Sequence, residues 1–100
     1  MLVEFTLLPV GKGVSLSEEV AKAVAIVAQS GLAYKVTEMG TFIEGEWDEV
    51  FAVIRRCHAA LLRESGRVIT TVKVDDRKGC TNALQTRLDI LEAKAGKFNR

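Results

Sequence analysis

The stretch YKVTEMGTFIEG, residues 34–45, decides how the chain is read. Two short runs rich in β-branched and aromatic residues flank Met39-Gly40, so the segment predicts a β-hairpin that turns at the glycine. Its polar members are Thr37, Glu38, Thr41 and Glu44, which a pleated strand displays at fixed spacing. A two-residue Met39-Gly40 loop sets Glu38 opposite Thr41 and Val36 opposite Ile43, leaving Thr37, Phe42 and Glu44 on the other face. A three-residue loop with Gly40 in the left-handed region pairs Thr37 with Thr41 instead. The first makes the better core pair.

Upstream of the hairpin, Leu2 to Pro9 alternates Val3, Phe5 and Leu7 with Leu2, Glu4, Thr6 and Leu8, the period of a strand. Pro9 closes it, because proline cannot donate to a central ladder. Ser15 and Glu18 have the spacing of a capping box, so a helix is expected to start there and to stop at Gly31. Leu16, Val20, Ala23, Val24 and Val27 form its apolar stripe, and Ile26 falls on the polar side. Downstream, Trp47 to Ser65 predicts a second helix whose buried stripe is Trp47, Val50, Phe51, Ile54, Cys57, Leu61 and Leu62. Arg67 to Asp75 is strongly β-prone. Asn82 to Ala95 then carries Leu84, Leu88 and Leu91 at helical spacing.

The order is β-α-β-β-α-β with a further C-terminal helix, which predicts an α+β ferredoxin-like sandwich in a single domain spanning residues 1–100. Right-handed crossovers put the first two helices on one face of a four-stranded antiparallel sheet of order 4-1-3-2. The other face keeps apolar area from Leu2 and Leu8, with Val72 or Ile69 from the last strand. Apolar area of that size calls for a partner, so a homo-oligomer using the open face is expected.

Composition excludes several classes. The 100 residues are 48% hydrophobic and 27% charged, with a net charge of +1, so no overall field favours nucleic acid or an anionic membrane. The opening residues lack the basic start of a signal peptide, and no apolar run approaches a bilayer span. Cys57 and Cys80 form no C-x-x-C, which fits a reduced, cytoplasmic protein. His58 and Cys57 are adjacent on a helix and point about 100° apart, badly placed for a shared metal or a nucleophile–base dyad. No metal site, cofactor motif or catalytic residue is expected. Gly11-Lys12-Gly13 lacks the spacing of a P-loop, and the strands lack the aromatic signature that lets such a sheet stack RNA bases.

In the expected topology the hairpin turn, the start of the first strand and the end of the fourth share one sheet end. Thr37, Glu38 and Thr41 would then meet Glu4, Lys73, Asp75 and Arg77 over an apolar floor, an arrangement able to hold a small polar or cationic ligand. A solvated sheet end with surface ion pairs explains the same residues.

The segments P-V-G-K-G-V-S-L-S at 9–17, Y-K-V-T-E-M-G-T-F-I-E-G-E-W-D-E-V at 34–50 and K-V-D-D-R at 73–77 together resemble the thiamine-binding-protein family, a YkoF-like group of small ferredoxin-fold proteins. Met39-Gly40-Thr41 followed by Glu44-Gly45 is the most specific piece. The resemblance implies a cytoplasmic, non-enzymatic protein that binds thiamine or its hydroxymethylpyrimidine part and assembles as a homodimer or homotetramer through its sheets. It carries ligand binding to Thr41 and Glu44, with Thr37 and Glu38 as neighbours in one pocket. A carboxylate could offset the thiamine cation, and Phe42 or Tyr34 could stack on its ring. Two other readings stand beside it. An acylphosphatase-like enzyme would need an arginine in the first strand-to-helix loop, where only Lys12 is present. The other is an oligomerisation or regulatory module without a small ligand.

Overall fold

A computed structural model describes residues 1–11, 13 and 16–100. Four strands, β1 (Leu2–Pro9), β2 (Ala33–Val36), β3 (Thr41–Glu44) and β4 (Val68–Asp75), form one antiparallel sheet of order β2-β3-β1-β4. That is the expected order read from the other edge. Helices α1 (Ser17–Gln29) and α2 (Trp47–Ser65) pack on one face, and α3 (Ala83–Ala95) lies against β2 and β3. The chain is therefore a ferredoxin-like sandwich with an added helix.

Period-two alternation in β1 sorts the sheet. Val3, Phe5 and Leu7 face α1 and α2, and the register brings Ile43 and Thr41 of β3 onto the same side, opposite Val3 and Phe5. Val3, Phe5, Ala23, Val27, Ile43, Val50, Val53, Ile54 and Cys57 make one buried cluster. Each fully buried Val or Ile there contributes about 1.5–3 kcal/mol. The second helix starts with Asp48 and Glu49 in its first turn, where the Glu46 amide donates to Glu49 Oε1 at 3.3 Å. It ends at Gly66, which is left-handed with φ 75° and donates its amide to the Leu62 carbonyl. The start of α1 falls two residues past the expected cap, at Ser17. Ser15 itself, and Lys12 of the Gly-Lys-Gly loop, lie outside the described residues.

Hairpin register departs from both sequence readings. Tyr34 faces Ile43 and Val36 faces Thr41, so the connection is the four residues Thr37-Glu38-Met39-Gly40. The Thr37 hydroxyl decides this. It donates to the Gly40 carbonyl at 2.8 Å and accepts the Met39 and Gly40 amides at 3.3 and 3.2 Å, while the Thr37 amide donates to the Gly40 carbonyl at 2.9 Å. Gly40 is not among the positive-φ glycines. It is needed instead for close approach, because a Cβ there would sit 3.0 Å from Thr6 Cγ2 and 3.3 Å from the Phe5 carbonyl oxygen.

The expected cluster at one sheet end does not form. Leu2 lies beside Glu44 and Phe5 beside Thr41, so the turn sits past Phe5, away from the start of β1. Lys73 and Asp75 pair with Glu4 and Leu2, toward the opposite end. Helix stripes shift as well. Trp47 is 56% exposed because it opens α2 beyond the sheet, where its ring meets Phe51 at 4.7 Å, and Leu62 is exposed. Val53 takes a buried place on the stripe, and Ile26 packs against the core. Leu91 is exposed, and the buried residue of α3 is Ala83 at its start.

Candidate functional site

The hairpin turn, the second half of β1, one side of α1 and the end of α2 enclose a cleft of about 190 Å³. Its walls are apolar: Phe5 and Leu7 from β1, Val20 and Val24 from α1, Val36 from β2 and Leu61 from α2. Val20 is exposed, although it sits on the apolar stripe, because it borders this opening. Thr37, Glu38 and Thr41 supply the polar rim, and Met39 stands at the lip.

The three rim residues differ in what their side chains have left to offer. A hydroxyl has one proton to give and two lone pairs to share, and Thr37 uses all three inside the turn. Thr41 lines the cleft on the helix side of the sheet, and its hydroxyl makes no hydrogen bond among the described residues. Glu38, at the centre of the turn, is exposed and makes no ion pair among the described residues. Of these three, Thr41 and Glu38 keep hydrogen-bonding capacity that the described residues do not use.

Glu44 is elsewhere. Strand alternation turns it to the opposite sheet face with Phe42, and the single pocket expected for all four polar residues is divided by the sheet. Its carboxylate is 6% exposed and accepts the amides of Ala83 at 2.7 Å and Leu84 at 3.1 Å, which caps α3 from another element. Sequence reasoning missed this because no local pattern links residues 39 and 40 positions apart. The expected aromatic partners are also outside the cleft: Phe42 floors a groove on the open face, and Tyr34 borders a shallow recess beside Leu84. Phe5 is the aromatic in the cleft wall.

Other candidates of the sequence take structural places. His58 is half-buried between α2 and β4, where Nδ1 hydrogen-bonds the Thr70 hydroxyl. The buried Cys57 thiol donates to the Ala23 carbonyl at 3.6 Å, tying α2 to α1, and burial pushes its pKa up to about 11. Cys57 and Cys80 are both free. Among the described residues, no His, Cys, Asp and Glu group is arranged to hold a metal ion, and no helix is long and apolar enough to cross a membrane.

The sequence model of the family described as "Thiamine-binding protein" matches residues 3–92, from β1 into α3. The chain belongs to that family. A relative, the UPF0045 protein MJ1052 of Methanocaldococcus jannaschii, is 32% identical over 91 residues, covering 91% of each chain. The UPF0045 protein MT1949 of Mycobacterium tuberculosis is 38% identical over 93 residues, covering 92% of this chain and 91% of that one. The crystal structure of MJ1052 superposes with a TM-score of 0.84 at 31% identity over 90% of this chain and 93% of the other. The Thermotoga maritima protein TM0486 shares the fold, with a TM-score of 0.75 at 20% identity over 88% and 96% of the two chains. The thiamine-binding protein match takes in every wall of the cleft, since Phe5 and Leu61 both lie inside it.

Proposed function

We propose that this protein is a non-enzymatic binding protein for thiamine or its hydroxymethylpyrimidine moiety, and that the ligand enters the cleft at the hairpin. One observation carries the reading. In a member of the thiamine-binding protein family, a cleft with apolar walls presents a carboxylate, Glu38, and a hydroxyl, Thr41, that nothing else among the described residues engages. A flat aminopyrimidine suits such walls, with ring nitrogens or the amino group at Thr41 and Glu38. The volume of about 190 Å³ is below the roughly 300–1,000 Å³ usual for a whole ligand, so one ring is held inside and the rest lies at the mouth. Thr37 shapes the wall through the turn. Glu44, across the sheet, is not one of the contacts.

Isothermal titration of the purified protein with thiamine and with hydroxymethylpyrimidine tests this. Thr41→Val is expected to weaken binding about 2- to 12-fold, the worth of one neutral hydrogen bond. Glu38→Gln should cost more for the cationic ligand than for the neutral pyrimidine. No heat from either ligand at millimolar concentration refutes the proposal.

We further propose that subunits associate through the open sheet face. Helix α3 covers the β2–β3 half, and the β1–β4 half carries Leu8 and Ile69 as cross-strand partners, 49% and 45% exposed. Light scattering at micromolar concentration should give a dimer or tetramer, converted to monomer by Leu8→Lys with Ile69→Lys. A monomeric wild type removes this part of the reading.

A further inference from the structure

We infer that α3 is a detachable cover of the open sheet face, latched by the Glu44 carboxylate. The buried apolar cluster contains no residue of α3, so the core under α1 and α2 is complete without it. Within α3 itself Ala83 is buried, Leu84 and Leu88 are half-buried, and Ile90 and Leu91 are 58% and 50% exposed. So small an apolar contact holds a 13-residue helix weakly.

Two polar tethers supplement it, and they are unequal. The first is Glu44, whose oxygens take the Ala83 and Leu84 amides in a largely buried site. Asn82, at the cap position, makes no side-chain capping bond, so these two helix-end donors depend on Glu44. The second is Arg87 to Asp75 at 2.6 Å, on the exposed surface, where an ion pair counts for little. When α3 lifts, water replaces both sets of partners, so the docked and lifted states differ modestly in free energy. Lifting removes the Arg87 wall from the groove that Leu2, Glu4, Phe42 and Lys73 line. The groove lies on the same sheet face as Leu8 and Ile69, two cross-strand pairs along β1 and β4 from Glu4 and Lys73. The helix thus gates how much of that face is available.

Native-state hydrogen exchange on the full chain tests this. In the wild type, amides of Leu88 and Leu91 are expected to be at least about a hundredfold less protected than those of Val3 and Ile43. Glu44→Gln should speed exchange at Ala83, Leu84 and Leu88 by about tenfold or more while Val3 and Ile43 keep their protection. Asp75→Asn should change α3 exchange by less than about threefold. One shared protection for α3 and core in the wild type, which needs no variant to fold, overturns the inference. So does a Glu44→Gln chain whose α3 is unchanged or whose core opens with it, and so does an Asp75→Asn effect larger than that of Glu44→Gln.

Discussion

Thr37→Val isolates the hydroxyl that sets the hairpin. The substitution keeps the β-branched shape and removes one donor and two acceptor sites. The donor bond to the Gly40 carbonyl is short, at 2.8 Å, and counts in full at about 0.5–1.5 kcal/mol. The bonds from the Met39 and Gly40 amides are long, at 3.3 and 3.2 Å, and the Met39 amide turns to water once the hydroxyl is gone. A net loss of about 1 kcal/mol follows, which for a domain of this size lowers Tm by about 4–8 °C. Thr37→Ser retains the hydroxyl and should recover most of the loss. Thermal melts of the three proteins measure this directly. Titration at a temperature where all are folded adds a second reading, since a hydroxyl with no capacity left gives a ligand nothing. Thr37→Val should then weaken pyrimidine binding by less than Thr41→Val. A Thr37→Val protein that melts with the wild type would sink the reasoning, as would a Thr37→Ser protein that falls as far or a reversed order of affinities.

Other outcomes follow from burial and charge. Ile43→Ala should cost about 2–5 kcal/mol in urea unfolding. Phe42→Ala should cost less, because Ile43 is fully buried on the helix side and Phe42 is half-buried on the other; equal costs would contradict the register. Alkylation of the native protein near neutral pH should modify Cys80 and spare Cys57, whose thiol burial holds up at about 11; rapid loss of both thiols is the contrary result. Arg87 holds the Asp75 carboxyl below its ordinary 3.8, so the pair contributes above that pH and its contribution is lost as pH falls through the lowered value. Asp75→Asn should therefore lower stability slightly at neutral pH in low salt and converge with the wild type in acid, and a neutral-pH difference that persists in high salt would show a different role.

Much of the architecture was legible in the sequence, and the reasons are local. Alternation in Leu2–Pro9 placed Val3 and Phe5 inside because a strand has period two, and the Val50, Ile54, Cys57 and Leu61 spacing placed α2 on the sheet because a helix has period 3.6. Register was not legible. Pairing Ile43 with Val36 or with Tyr34 satisfies the same apolar pattern, and what chose between them was a threonine hydroxyl closing a turn. The site was read in part. Thr37, Glu38 and Thr41 of the expected turn do line one cleft, but the cleft walls Val20, Val24 and Leu61 come from helices distant in sequence.

What the sequence by itself determined is the order of elements, the core face of β1 and the family, because periodicity and short motifs are written along the chain. Tertiary structure alone decided what each polar residue of the hairpin does. Thr37, Thr41 and Glu44 look alike as polar positions in one segment. Three-dimensional packing spends the first on its own turn, leaves the second facing a cleft and buries the third under two amides of a helix 39 and 40 residues away. A side chain's hydrogen-bonding capacity is consumed by whatever the fold brings within about 3 Å of it, and that proximity is set by the register and the packing of α3.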